Sequence, residues 1–347
     1  IIFQANWYGI FYTLFYGGIA KLAGFSNFYF VTLNFLLLFF SLIIISKIKT
    51  SKNNKLIIAV CFMMFNMVFT YAFTFFPETL NIFIGICLSF LLIKVYEKYR
   101  IGQERKTIFL YITATIFFSF FRVTWIFWLV GILPFALNKN ETIKYFLILT
   151  FGIALAFLYV QFFCAPYYVQ GGYIIRELLQ FHLWEFAKEF AINLARNLYN
   201  FFIFQFKVEW YWMFVKMTYI FIVLYLSIQY FKNKNHLIRS VAVIFLMNMF
   251  VLFTLYVSVF PYLMKITASI FILFFIVVIY LEKKSIAKLI LLSLVASFPF
   301  TVLDTYAVIH ERKLLYDRSV GADKQQVVAI KSIANMVNTD KESIVQC

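Results

Sequence analysis

Long apolar runs follow one another along most of this chain and predict membrane-spanning helices. An α-helix rises about 1.5 Å per residue, so roughly 20 apolar residues cross the ~30 Å hydrocarbon core of a bilayer. Several runs reach that length, and the shorter ones only just cross. We therefore expect an all-α polytopic membrane protein of about ten spans, over residues 26–46, 56–75, 78–96, 107–121, 123–137, 145–163, 211–231, 240–258, 264–281 and 286–303.

The composition excludes a soluble globular domain. Hydrophobic residues make up 64% of the chain, aromatic residues 22%, and the mean hydropathy is +0.87. Soluble domains average about 45–50% apolar residues. Cys61, Cys87, Cys164 and Cys347 show no Cys-x-x-Cys spacing, so the sequence indicates neither a disulfide framework nor a zinc site.

Five short basic loops separate alternate pairs of apolar runs. They lie at 47–55, 94–106, 138–144, 232–239 and 282–288 and hold most of the excess positive charge, which is +16 for the whole chain. The positive-inside rule makes these loops cytoplasmic. A nucleic-acid surface clusters its cations on one face, whereas these are dispersed along the chain. We therefore expect no nucleic-acid partner.

The apolar stretch 107–137 is interrupted only by Arg122 and has two interpretations. One is a single tilted helix. The other is a hairpin of two short helices that meet near Arg122. Basic loops on both sides of the stretch require an even number of crossings, because a single span would place the later basic loops outside. We therefore predict the hairpin.

Several longer non-spanning segments fall on the outer side in this topology. The first 25 residues and the loop 164–210 lie there, and the loop contains an amphipathic pattern from Ile174 to about Phe204. Apolar and polar residues alternate in this pattern at three- to four-residue spacing, which predicts a helix in the membrane interface.

Both ends of the sequence suggest further protein. Residue 1 lies outside in this topology, and the chain begins with Ile1, so we expect one more helix before it. Residues 1–303 then form the transmembrane domain. The segment 304–347 has a balanced charge and one apolar helical stripe, and it ends in Ser343-Ile344-Val345-Gln346, which is typical of a strand beginning. We interpret it as the start of a small outer α/β domain.

Three charged residues near the outer boundary are candidates for chemistry, because charge at membrane depth is expensive and marks functional sites. Glu78 could act as a base, bind a metal or orient a sugar hydroxyl, or it could simply stabilise a helix N-terminus. Arg122 could bind a phosphate through its guanidinium fork or could snorkel to the surface. Lys265 follows Pro261 at a helix start, where a cation is unfavourable unless it binds an anion.

The remaining titratable residues give little sign of a site. His182, His236 and His310 are not spaced as metal ligands, and the sequence has no P-loop, Gly-x-Ser-x-Gly or His-Glu-x-x-His motif. We therefore expect no metal ligands among them, and the sequence leaves any cofactor unknown.

A set of short motifs, in their order and sidedness, resembles the GT-C superfamily of membrane glycosyltransferases. The closest resemblance is to the branch that includes protein mannosyltransferases and lipid A aminoarabinose transferases, over about residues 1–303. The motifs are Trp7-Tyr8-Gly9 leading to Lys21-Leu22-Ala23-Gly24, then Pro77-Glu78-Thr79-Leu80, then Arg122 ahead of Leu133-Pro134, and Pro261-Tyr262 ahead of an apolar span.

The resemblance implies an inverting enzyme that uses a polyprenyl-phosphate sugar donor and a lipid, glycan or protein acceptor. It also implies a multi-pass protein of the bacterial inner membrane with its active site on the outer face. Glu78 would then be catalytic, and Arg122 and Lys265 would bind the donor. Members of the family carry their key acid just after the first helix, which would precede Ile1 here.

Two other functions stay open at this stage. A transporter or lipid flippase would place charges at the midplane on helices interrupted by Gly or Pro, but this chain has only 11 Gly and its charges lie at the outer boundary. An O-antigen ligase or polymerase would carry an outer loop rich in Arg and His. The loop 164–210 has only Arg176, Arg196 and His182.

Overall fold

The computed structural model describes most of the apolar part of the chain. The described residues are 10–23, 27–73, 78–163, 177, 180–202, 221, 224–228, 230–232, 234–255, 262–281, 285–303, 305–306 and 310. Within these ranges the regular structure is helical and contains no strand. The chain divides into two compact units, Ile1–Phe298 and Pro299–Cys347. The strand expected at 343–346 lies outside the described residues.

Eleven α-helices and one 3₁₀ helix have assigned bounds within the described ranges, and residues 224–228 and 230–232 are helical as well. They are α1 Ile10–Ala23, α2 Asn27–Ser46, α3 Lys52–Met64, α4 Asn66–Ala72, α5 Glu78–Tyr99, α6 Arg105–Ser119, the 3₁₀ helix η1 Val123–Phe135, α7 Lys139–Phe163, α8 Leu183–Phe202, α9 His236–Leu255, α10 Tyr262–Tyr280 and α11 Ser285–Leu303.

Four helices of the described chain are long and apolar enough to cross a membrane, judged by length and composition. They are Phe28–Ser46, Glu78–Tyr99, His236–Thr254 and Ser285–Leu303. They support the assignment as a membrane protein. A shorter apolar helix occurs at Val123–Phe135, and Phe271–Tyr280 is an apolar segment of α10. The expected span 211–231 falls largely outside the described residues, and ten crossings remain a prediction.

The segment 56–75, which we expected to form one span, is divided into α3 and α4. Phe65 separates them in an extended conformation, with φ −68° and ψ 125°. Its ring stacks on Phe271 of α10 at 4.8 Å between centroids. The break in the helix therefore coincides with this aromatic stacking. Neither Gly nor Pro marks the break in the sequence, and the apolar pattern continues through it.

The stretch 107–137 turns back on itself between α6 and η1, as the hairpin interpretation requires. Phe120 and Phe121 form the turn, and Arg122 is the N-cap of η1. The second half of the hairpin, η1, is the central element of the described bundle and packs against α5, α6, α7 and α9. Apart from Thr124, its side chains are apolar on every side, so it can be buried all round, and residues 123–132 are all buried.

The 3₁₀ form of η1 aligns side chains three residues apart along its axis. Trp125, Trp128 and Gly131 therefore follow one line. The Tyr111 hydroxyl of α6 donates to the Trp128 carbonyl at 2.8 Å. A Cβ placed on Gly131 would lie 2.6 Å from Cδ1 of Ile244 in α9. The absence of a side chain at this position allows α9 to pack closely against η1.

Part of the amphipathic pattern expected from Ile174 to about Phe204 forms α8, which begins at Leu183 after a turn at Gln180 and Phe181. Its position in the membrane interface stays a prediction. Asn193 Nδ2 donates to the Thr254 carbonyl at 2.6 Å, and Asn197 Nδ2 donates to the Phe253 carbonyl at 2.9 Å. The last carbonyls of an α-helix lack donors from their own helix, so these two amides help to satisfy the end of α9. Trp184, in contrast, is 76% exposed.

The expected topology can be tested by cysteine labelling at two exposed positions. Asn140 lies at the start of α7 and Gln180 just before α8, and both are exposed. The native cysteines are first replaced, and a membrane-impermeant maleimide is added outside sealed cells. We expect it to label Gln180→Cys. Asn140→Cys should be labelled only after the membrane is permeabilised. Labelling of both variants in sealed cells would contradict the topology.

Candidate functional site

The first residue of α5 is the acid that the sequence singled out. Glu78 is 2% exposed and belongs to a helix that is long and apolar enough to span a membrane. A carboxylate in the first turn of a helix interacts favourably with the partial positive charge of the helix N-terminus. This placement alone is compatible with either a structural or a chemical role.

Arg122 brings a guanidinium directly to this carboxylate. Its Nη1 donates to Glu78 Oε2 at 3.0 Å, and Arg122 is 4% exposed. Arg122 is placed by the turn after α6, where the backbone is extended with φ −148° and ψ 119°. The structure therefore joins two of the three candidate residues, although 44 positions separate them in the sequence.

Two further side chains extend the ion pair into a polar network. Asn81 Nδ2 donates to Glu78 Oε2 at 3.4 Å, and its Oδ1 accepts from Trp125 Nε1 at 3.3 Å. Asn81 is one helical turn after Glu78 on α5, and Trp125 is one 3₁₀ turn after Arg122 on η1. The network thus links the N-terminal end of α5 to the N-terminal end of η1 and orients both charged groups.

A layer of aromatic side chains surrounds the turn that carries Arg122. Phe11 of α1 lies 5.8 Å from both Phe120 and Phe121, measured between ring centroids. Tyr159 of α7 packs against Phe120 at 4.9 Å, and its hydroxyl donates to the Phe120 carbonyl at 3.0 Å. Helices that are distant in sequence therefore hold the turn in place.

A second polar contact lies beside the ion pair on α5. The Tyr71 carbonyl, in the last turn of α4, accepts from Thr79 Oγ1 and from Asn34 Nδ2, each at 3.1 Å. Asn34 and Thr79 are buried, at 1% and 0% exposure. These bonds join α2, α4 and α5 next to Glu78 and fix the start of α5.

The third candidate, Lys265, is the fourth residue of α10. Its position in the first helical turn agrees with the helix start predicted after Pro261. The structure describes its backbone but not its side chain. The position of the Lys265 ammonium group relative to Glu78 and Arg122 therefore lies outside the described side chains.

The ion pair is buried, and its burial limits which groups can bind to it. A buried guanidinium and carboxylate attract one another strongly, but both have lost their hydration. As long as Arg122 holds Glu78, neither group is fully available to a substrate. Ligand binding at this site would have to bring a group that can replace one partner, and an anion such as phosphate can replace Glu78 on the guanidinium.

Asn81 and Trp125 were not among the residues predicted from the sequence. Asn81 did carry a usable signal, since positions i and i+3 of a helix lie on the same face and Glu78 already marked that face. Trp125 gave no such signal, because it stands in a uniformly apolar segment. In the described part of the chain, no group of three or more His, Cys, Asp or Glu residues could hold a metal ion.

No family model, curated protein or solved structure matches this chain.

Proposed function

We propose that the protein is a membrane glycosyltransferase that transfers a sugar from a polyprenyl-phosphate donor to an acceptor on the outer side of the membrane. The observation that carries the proposal is the buried pair of Arg122 and Glu78 at one end of a membrane-length helix. The acceptor would be a lipid, a glycan or a protein, and the setting would be the bacterial inner membrane.

The chemistry needs one group of each charge. The acceptor oxygen bonds to the anomeric carbon while the bond from that carbon to the phosphate oxygen breaks, and the electron pair stays on the phosphate. A cation beside the phosphate stabilises this developing charge. A carboxylate orients the acceptor hydroxyl and receives its proton. Arg122 and Glu78 supply these two kinds of group.

The closed pair suggests an order of events in this proposal. The donor phosphate competes with Glu78 for the guanidinium, which has five N–H donors in a planar fork. Binding of the phosphate to Arg122 releases the carboxylate for the acceptor. Lys265, at the start of α10, would add a second positive charge.

The test is transfer of labelled sugar from a polyprenyl-phosphate donor in membranes that contain the intact protein. We expect Arg122→Lys, Glu78→Gln and Lys265→Ala each to lower transfer per mole of folded protein by about 10- to 150-fold, the loss of one charge-assisted hydrogen bond. Glu78→Gln should affect turnover more than donor affinity, because it keeps the shape and removes the base.

Lys188→Ala is the matched control, because Lys188 is an exposed cation of α8. It should transfer sugar at the unmodified rate. Unmodified rates in all three site variants would show that the proposed site is wrong.

A transporter or flippase is the second candidate, and one observation favours it. The 3₁₀ helix η1 is a non-α element among buried apolar helices and has Arg122 at its start. Transporters form their sites at such interrupted helices. Movement of a polyprenyl-phosphate lipid across proteoliposomes, without any sugar transfer and abolished by Arg122→Lys, would favour this candidate over the enzyme.

A further inference from the structure

A long surface groove runs between α6 and α7. Both helices pack against η1 but contact one another little, and the open groove between them has a volume of about 720 Å³. Phe109, Ile112 and Ile116 line it from α6, and Leu147 and Phe151 line it from α7. The groove is open along one side, so it offers a docking surface and not an enclosed pocket.

The groove changes from polar to apolar along its length. Asn140 and Lys144 line it near the start of α7, and the lining residues further along both helices are apolar. Lys144 and Phe151 are seven residues apart, or about 10 Å along the helix. Among the described residues that line the groove, one is a cation and none is a carboxylate.

Further cations lie at the same end of the groove. The intervening η1 returns the chain, so α6 and α7 both begin at this end, with Arg105 and Lys106 opening α6 and Lys139 opening α7. Two acids accompany them. Glu104 is buried, and Glu141 accepts from the Leu137 amide at 2.8 Å. The balance of these side chains is positive.

The apolar part of the groove is open to its surroundings. Phe109 is 71% exposed and Phe151 is 67% exposed. Large apolar patches of this kind are covered by lipid in a membrane protein, and cations at the membrane surface attract anionic headgroups. One molecule with an anionic head and an apolar tail satisfies both ends of the groove.

We infer that the groove binds one anionic phospholipid of the leaflet that faces the basic loops. Its phosphate lies beside Lys144, and an acyl chain follows the line from Ile112 to Ile116 and Phe151. The site is on the opposite side of the topology from Arg122 and Glu78. It therefore does not depend on the proposed glycosyltransferase function.

The experiment measures lipid retained by the full-length protein after detergent extraction, by native mass spectrometry. The probes are dioleoyl phosphatidylglycerol, which is anionic, and dioleoyl phosphatidylcholine, which is zwitterionic. The unmodified protein should retain the anionic lipid preferentially. Lys144→Gln should lower its binding constant about fivefold, the factor for the ~1 kcal/mol that one lysine contributes at an anionic surface.

Two further variants separate the parts of the inference. Lys188→Gln removes an exposed cation of α8 outside the groove and should leave retention unchanged. Ile148→Trp fills the groove, which Ile148 lines, and should lower retention of both lipids. Equal retention of the two lipids by the unmodified protein, or equal effects of Lys144→Gln and Lys188→Gln, would overturn the inference.

A second copy of the chain is the other occupant that the test can reveal. If the protein is a dimer that Leu147→Arg converts to a monomer while lipid retention stays the same, the groove is a protein interface and the lipid site is excluded.

Discussion

Arg122→Met is expected to destabilise the folded protein by about 3–5 kcal/mol. The substitution keeps an apolar stem of similar length but removes the guanidinium that donates to Glu78 Oε2 at 3.0 Å. Glu78 is 2% exposed, so its carboxylate would be left buried without that charge. The free energy of unfolding in mixed micelles, compared with the unmodified protein, measures the effect.

A double-mutant cycle separates the contribution of the ion pair to stability from the contribution of side-chain packing. Arg196→Met is the matched control, because Arg196 is exposed on α8, and surface substitutions change stability by about 0.5 kcal/mol or less. Combining Arg122→Met with Glu78→Gln should recover most of the loss, since both charges of the buried pair are then removed. A double variant as unstable as the sum of the single variants would show that the two charges do not interact.

Trp128→Ala should have a comparable effect, about 3–5 kcal/mol, through packing alone. Trp128 is 1% exposed at the centre of the described bundle, and its ring meets Trp125 edge-on at 5.2 Å between centroids. Truncation leaves a cavity surrounded by α6, η1 and their neighbours, and the van der Waals contacts around it are lost. Thermal unfolding in detergent should show a clear fall in the transition temperature.

The same chain supplies a matched tryptophan. Trp184 on α8 is 76% exposed, so Trp184→Ala should leave the transition temperature nearly unchanged in detergent. Similar shifts for the two tryptophan variants would mean that η1 is not the packing centre of the bundle.

The charged part of the candidate site could be predicted from sequence because charges are rare in the apolar segments. Glu78 and Arg122 stood out for that reason, and the basic loops on both sides of 107–137 placed a turn near Arg122. Their direct contact could not be derived. It depends on how α5 packs beside η1, which the apolar pattern does not specify.

Two features of the fold gave no readable signal. The break at Phe65 is made by an extended backbone in a run of apolar residues, where no Gly or Pro marks it. The 3₁₀ form of η1 was also missed, because a segment that is apolar on all sides has no periodicity from which its helix type could be inferred. In both segments the local sequence does not specify the backbone conformation, and that conformation is found together with close tertiary packing.

The 3₁₀ form of η1 also fixes how many residues this segment can contain. Its 13 residues reach about 26 Å at about 2.0 Å per residue, against about 20 Å for an α-helix of the same number. A deletion of one residue between Trp128 and Gly131 would shorten that reach by about 2 Å and turn every later side chain by about 120°. Ile132 would then occupy the place of Gly131, where even a methyl group would lie 2.6 Å from Ile244. A substitution in η1 changes one position, whereas a change in its length moves every side chain that follows.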